Sequence, residues 1–395
     1  MPPAPPAWLL VLMTALGPFS MQILVPAIPG LAARFGVAQA EAQLTLTAYL
    51  IGVAAGQLLY GPVSDRHGRR PTAIAGLAVF LAASAVAALS GSIGGLVAGR
   101  LAQAVGACSG MVLARAIIRD CYPRDRAASV MAFLFMGMTV APMVAPIIGA
   151  LFDDWLGWRA LLVLPGLAGL VLLVAVLARL PETLRREAGL GHGGFAAMLA
   201  TSLGLLRTPA FLVHAGCFAA SSAVFFAFVG GAPFVVVEGL GLKPKAYALG
   251  FLVLSAAYAL GNFVTARLAT RLGALRLLSA GTAITFAAAL LALFLVGLRP
   301  PHLLNLFGPA ILMALGNGVA QANAMAAAVS VRPQAAGAAS GLAGAIQMSA
   351  GALATVAVAA VEQGSGLATA GLMVAAATLC QAILWLGRAA ARDAG

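Results

Sequence analysis

The sequence predicts an all-α membrane protein, with twelve transmembrane helices arranged as two pseudo-symmetric halves of six. Three observations carry this prediction. The composition is too apolar for water, the apolar runs number twelve, and a pattern in the first half returns 205 residues later.

Of 395 residues, 62% are hydrophobic and 9% charged, and the mean hydropathy is +1.02. A soluble domain carries about one-quarter charged residues, enough to clothe its surface. This chain has too few, which excludes a soluble enzyme, a disordered chain and a disulfide scaffold. The four cysteines form no CxxC pair and no Cys/His cluster, so no metal site is expected. Residues 1–7 are proline-rich without Lys or Arg, so the first run reads as a retained helix rather than a cleaved leader.

A helix needs about 20 apolar residues to cross a bilayer. Such runs fall at 8–30, 43–63, 72–90, 94–117, 128–151, 160–179, 209–236, 246–266, 277–297, 305–329, 338–360 and 367–387. The longest interruption contains PETLRREAGLGHGG. The expected organisation is an N-terminal bundle over 1–179, a cytoplasmic linker over 180–208 and a C-terminal bundle over 209–395.

With the N-terminus inside, 17 of the 23 basic residues fall in cytoplasmic segments, 5 fall outside, and Arg100 lies within span four. The positive-inside rule requires that asymmetry, so both termini are expected in the cytoplasm. The net charge of +12 thus reports topology, and no nucleic-acid partner is expected. At the offset of 205, Gly36 matches Gly241, Gly56 matches Gly261, Arg66 matches Arg271 and Gly68 matches Gly273, while Gln57 falls on Asn262. Parallel six-helix repeats suit a rocker-type transporter with its substrate site between the halves.

The most specific string is GPVSDRHGRRP over 61–71, with Gly61, Asp65, Arg66, Gly68, Arg69 and Arg70. Glycine permits a sharp turn between helices, and Pro71 can start the third helix at its first position. Asp65 can face a helix N-terminus or an arginine and so hold one conformer of a moving pair. Span four carries Arg100-Leu-Ala-Gln103-Ala-Val-Gly106. Span five carries Gly137 and then Ala141-Pro142-Met-Val-Ala145-Pro146-Ile-Ile-Gly149.

These strings resemble motif A, the R-x-x-Q-G-x-G stretch and motif C of the drug/proton antiporters of the major facilitator superfamily (MFS). GPVSDR, ARAIIRD (114–120) and LPETL (180–184) look like the Bcr/CflA subfamily, which is linked to bicyclomycin and chloramphenicol resistance. The resemblance covers nearly the whole chain and is densest from 20 to 186. The second half keeps a degraded motif A, with Thr270 where Asp65 stands. The resemblance implies the MFS fold and a multi-pass multidrug exporter of the bacterial inner membrane. Such a protein works by alternating access, with no cofactor and with the proton gradient as energy source. A monomer is expected.

A lone arginine inside a span must line water or be paired. Gln103, at i+3, shares the helical face of Arg100. Alternatively Arg100, about six residues from the span start, snorkels to the interface. The resemblance implies a part in proton coupling, commonly with an acid on span one, where the subfamily reads D-M-Y-L-P-A-x-P. This chain reads Gln22-Ile-Leu-Val-Pro26-Ala-Ile-Pro29. Glutamine can hydrogen-bond but cannot titrate. The eleven acids all lie at span ends or in loops. Three couplings remain open. A peripheral acid such as Asp65 carries the proton, an anionic or zwitterionic substrate brings its own charge, or the protein is a facilitator. Proton-driven export is the expectation adopted from the resemblance.

Further cavity candidates are Tyr49 and Gln57 on span two, Phe225, Phe226 and Phe228 on span seven, and Tyr258 and Asn262 on span eight. Asn317, Gln321 and Asn323 follow on span ten and Gln347 on span eleven. Amides in lipid need partners, so these should face the protein interior, as helix–helix glue or as substrate contacts. The phenylalanines are as apt to face lipid. An aromatic pocket with scattered amides suits an amphipathic small molecule. Pro142 and Pro146, between Gly137 and Gly149, read as a hinge and seal. An exporter of an endogenous metabolite and a non-transporting sensor on the same fold are the alternatives. No nucleophile–base pair supports an enzyme.

Overall fold

Lipid offers no partner to backbone N–H and C=O groups, so each span must satisfy them within itself. The computed structural model describes residues 3–122, 124–184, 195–298, 302–332 and 335–393, and the regular elements among them are helices. The first span is α1 (Ala7–Ile23) and α2 (Ile28–Phe35), joined by a 3-10 turn at Val25–Ala27. The break has a local cause: Pro26 has no N–H to offer the carbonyl of Gln22. Helices α3 (Gln39–His67), α4 (Arg69–Leu89), α5 (Ile93–Cys121), α6 (Arg124–Leu156) and α7 (Ala160–Arg179) follow. A short α8 (Phe195–Leu206) lies in the expected linker, whose residues 185–194 are outside the described ones. Helix α9 (Pro209–Phe234) is continued by a π turn at Val235–Gly239. Then come α10 (Pro244–Leu272), α11 (Ala274–Leu298), α12 (Leu303–Ser330), α13 (Ala336–Val361) and α14 (Leu367–Asp393). Eleven described spans have the length and apolarity to cross a membrane. Helix α6, 33 residues long, covers the fifth apolar run of the sequence.

One local expectation changes. Residues 61–71 are not a loop: α3 continues through Gly61 and Pro62 to His67, and α4 begins at Arg69. Gly68 is the entire turn, with φ 102° and ψ 157°, a region essentially closed to other residues. Pro71 is the third residue of α4, where a backbone N–H would lack a helical acceptor anyway. The residues read as a hinge, Gly137, Pro142 and Pro146, lie inside α6.

The chain forms two compact units, residues 1–37 with 48–199, and residues 38–47 with 200–395. The same close approaches recur inside each. In the first, a Cβ on Gly76 of α4 would strike Ser109, and one on Gly106 of α5 would lie 2.7 Å from the Gly76 carbonyl oxygen. In the second, a Cβ on Gly281 of α11 would lie 2.7 Å from the Gly316 carbonyl oxygen of α12. Small residues let membrane helices pack this closely. The 205-residue offset that relates Gly76 to Gly281 also relates turns of like backbone: Gly36 (φ 63°) to Gly241 (φ 65°), and Gly68 to Gly273 (φ 78°). The repeat read from the sequence is therefore a repeat of conformation.

Candidate functional site

In the first unit the site is built on the break in span one. The last carbonyls of a helix have no intrahelical donor; at the end of α1 the Gln22 carbonyl accepts from the Leu24 N–H, and those of Ser20, Met21 and Ile23 lie beside it. Arg100 supplies donors to two of them. Its Nη1 donates to the Ser20 carbonyl at 3.0 Å and its Nη2 to that of Met21 at 3.4 Å. Nη1 also reaches Ser20 Oγ at 3.4 Å and Gln103 Oε1 at 2.6 Å. The guanidinium lies 4.2 Å from the Tyr49 ring centroid, and the Tyr49 hydroxyl donates to the Gly17 carbonyl at 2.9 Å. Gln103 Nε2 donates to Ser84 Oγ at 2.8 Å, and Ser84 donates to the Phe80 carbonyl at 2.7 Å. Arg100 is 0% exposed, so it does not snorkel. The backbone of α6 covers a third orphan carbonyl: a Cβ on Gly149 would collide with the Ile23 oxygen.

An uncompensated arginine at mid-membrane costs about 3 kcal/mol or more. The negative end of α1 offsets part of this, with roughly half an elementary charge. No carboxylate among the described residues pairs with Arg100, since both described ion pairs belong to Arg69. Gln22 is buried beside Met21 in the chain, and its Oε1 and the Nε of Arg100 have no hydrogen-bond partner. The structure thus brings Arg100, Gln103 and Tyr49 together against the last turns of α1, where Gln22 also sits.

In the second unit the candidates divide. Gln347 Nε2 donates to Ser222 Oγ at 2.7 Å and to Gln321 Oε1 at 3.4 Å, and Tyr258 donates to the same Gln321 oxygen at 3.3 Å. Ser222, Gln321, Gln347 and Tyr258 form one cluster. Asn262 lies one turn along α10 from Tyr258. Asn317 is apart from the cluster, fully buried, accepting from Ser221 at 2.9 Å and touching Met313 Sδ. Asn323 ties α12 to Thr265 of α10 at 3.3 Å. Both asparagines thus bond a neighbouring helix, α9 for Asn317 and α10 for Asn323. Phe226 and Phe228 are buried rather than lipid-facing: Phe226 packs on Gly351, and Phe228 meets Phe307 edge-on at 5.6 Å.

The α3–α4 junction is a separate charged assembly. Arg69 is buried and pairs with Asp65 at 2.6 Å and with Asp120 of α5 at 2.9 Å, and it donates to Ser64 Oγ at 2.5 Å. Asp65 therefore faces an arginine; the helix N-terminus is taken by another acid. Glu182, just past α7, accepts from the backbone N–H of Arg69 at 2.9 Å and of Arg70 at 3.1 Å. A carboxylate there satisfies orphan donors and complements the helix dipole. A Cβ on Gly68 would lie 2.5 Å from Glu182 Oε2, so the glycine also clears room for this cap. Arg70 donates to the Leu177 carbonyl at 2.9 Å, whereas Arg66 is exposed and Gly61 is helical with open space around it. Sequence reasoning missed Asp120 and Glu182. Both sit in noted strings, ARAIIRD and LPETL, but nothing local places them 51 and 113 residues away in the chain.

The family model of the Major Facilitator Superfamily matches residues 10–355. The chloramphenicol resistance protein of Pseudomonas aeruginosa is 35% identical over 254 residues, which cover 64% of this chain and 58% of that protein. The chain thus matches less than two thirds of that relative. The bicyclomycin resistance protein homolog of Haemophilus influenzae is 29% identical over 350 residues, 87% of this chain and 85% of the relative. Among solved structures, a bacterial homologue of the human lysosomal transporter Spinster, inward-facing and unoccupied, shares the fold, with a TM-score of 0.74, 15% identity and 96% of both chains covered. With its membrane-spanning helices, a conformational repeat, the α3–α4 junction and a family match over most of its length, the chain belongs to the major facilitator superfamily.

Proposed function

We propose that the chain is a multidrug efflux transporter of the bacterial inner membrane. Both termini lie in the cytoplasm, and it exports amphipathic small molecules by alternating access. The observation that carries this reading is the Ser222–Gln321–Gln347–Tyr258 cluster, with Phe225 and Phe226 one turn along from Ser222. Amides and hydroxyls both donate and accept, so such a cluster tolerates many ligands that share an aromatic body and neutral polar groups. Similarity to proteins named for chloramphenicol and bicyclomycin resistance supports the same substrate type. The protein acts as a monomer, without nucleic acid and without a cofactor.

Export is driven by the proton gradient. Gln22 cannot carry the proton; of the three couplings, a peripheral acid is the one adopted here, and Asp65, 42% exposed at the junction, is the candidate. Expression in a drug-sensitive bacterium should raise the inhibitory concentration of chloramphenicol or bicyclomycin and lower their accumulation. No change for either compound sinks the efflux reading. In inverted vesicles, uptake should respond to an imposed pH gradient. If native uptake ignores the gradient and the Gln22→Asp variant obeys it, the native chain is not a proton antiporter.

A further inference from the structure

We propose that the α10–α11 turn is the headgroup site of an anionic phospholipid. This concerns what the protein binds from its membrane and is independent of what it exports. Three arginines surround Gly273: Arg267 and Arg271 in the last two turns of α10, and Arg276 in the first turn of α11. All three are exposed. Among the described residues none of them has a carboxylate partner, since both described ion pairs belong to Arg69. The acids that flank this stretch in the chain, Glu238 and Glu362, stand at the far ends of spans, before α10 and after α13. Two of the three charges are not part of the repeat. The offset of 205 sets Arg271 on Arg66, but Arg267 and Arg276 on Pro62 and Pro71. At Gly68 the basic residues meet Asp65, Asp120 and Glu182 of the same unit. At Gly273 the counter-charge is left to come from outside the chain.

The helix faces decide the occupant. Leu249, Val253, Ala256, Leu260 and Phe263 follow at steps of three and four, so they share one face of α10, and that face is exposed and wholly apolar. Arg267 and Arg271 continue it. Arg276 begins a like face on α11, which runs on through Ala280, Ala283, Ala287, Leu290 and Phe294, again exposed and without a polar group. On membrane-spanning helices such faces lie against acyl chains. The Arg267 guanidinium lies 5.1 Å from the Phe263 ring centroid, and Phe263 is 55% exposed. That stacking holds the charge beside the acyl-chain surface. Topology asks only for positive charge in the segment, not for arginines aligned with two lipid-facing stripes. A phospholipid matches both parts at once. Its phosphate oxygens suit guanidinium forks, and its chains lie along the stripes. Soluble phosphate would use the arginines alone. The turn lies at the membrane face proposed above to be cytoplasmic, where anionic lipids attract basic residues.

The test is native mass spectrometry of the purified full-length protein, offered phosphatidylglycerol and phosphatidylcholine with identical chains. The native protein should retain phosphatidylglycerol about thirtyfold better, about threefold for each arginine. Each single variant, Arg267→Gln, Arg271→Gln or Arg276→Gln, should lose about that threefold share, and the triple variant the whole preference. The single variants decide the matter if the triple variant does not fold. A control, Arg207→Gln with Arg332→Gln, removes two exposed charges elsewhere in the second unit and should keep the preference. Equal retention of the two lipids by the native protein overturns the assignment. So do single variants that all keep the full preference, or a control that loses as much as the triple variant. Glycerol 3-phosphate tests for a soluble-anion site: displacement of the lipid by this headgroup fragment at equal concentration also overturns it. A native dimer that the triple variant abolishes would give the face to a second copy of the chain, and overturns it too.

Discussion

The turn at Gly68 and the turn at Gly273 are the same piece of backbone used twice. Both glycines join two long helices with positive φ and extended ψ, 102° and 157° at the first, 78° and 150° at the second. Their surroundings differ completely. At Gly68 a side chain would meet Glu182, and the following Arg69 gathers Asp65, Asp120 and Ser64. At Gly273 a side chain would meet nothing within 4 Å, and Ala274 and Leu275 stand where Arg69 and Arg70 stand. The two turns share a conformation, and only the first is surrounded by Arg69, Asp65 and Asp120. A junction that must merely turn needs glycine alone. One that holds particular helices in place needs partners from far along the chain.

That contrast can be broken most severely at the glycines. Gly68→Ala adds a displaced Glu182 cap to backbone strain, about 3 kcal/mol together, against about 1–2 kcal/mol of strain alone for Gly273→Ala. Melting of the purified proteins in detergent should rank them in that order, and equal losses would remove the special status of the first turn. Next comes Arg69→Gln, which strands two carboxylates. The cost is about 2 kcal/mol, less than for fully buried pairs because Asp65 is well exposed. A double variant with Asp120→Asn should recover part of that loss in the same melting assay, and strictly additive losses would deny the coupling. Glu182→Gln keeps one acceptor but removes the charge at the start of α4, for about 1 kcal/mol. Its melting deficit should shrink in high salt, because the interaction with the helix dipole is screened. The smallest effect sharpens the comparison from the other side. Gly36→Ala and Gly241→Ala sit at matched left-handed positions with open space around both. Each should cost about 1 kcal/mol, and the two should agree. A clear inequality would mean the repeat does not extend to those turns.

Much of the candidate site was legible as residue types and only partly as partners. Arg100 with Gln103 could be read from helical spacing, because i and i+3 share a face whatever surrounds them. The break that Pro26 puts at the end of α1 was open to reading too, since a missing N–H is a local fact, although the carbonyls that Arg100 bonds are those of Ser20 and Met21. That Arg100 would be the donor reaching them was not. Asn317 and Asn323 looked identical to Gln321 and Gln347 as buried amides. Only packing separates glue from cluster, because an amide's role depends on which neighbouring helix presents its partner.

The sequence by itself determined the twelve spans and the repeat. Lipid forces each helix to satisfy its own backbone over about 20 apolar residues, which makes the span a local property. It also determined Gly68 and Gly273 as turns of one kind, through a constant offset. The tertiary structure decided what those turns and spans hold: Glu182 on the start of α4, Asp120 on Arg69, and Arg100 on the broken end of α1. Each joins groups between 51 and 113 residues apart. A hydrogen bond is made at about 3 Å, and which distant groups come that close is settled by helix packing.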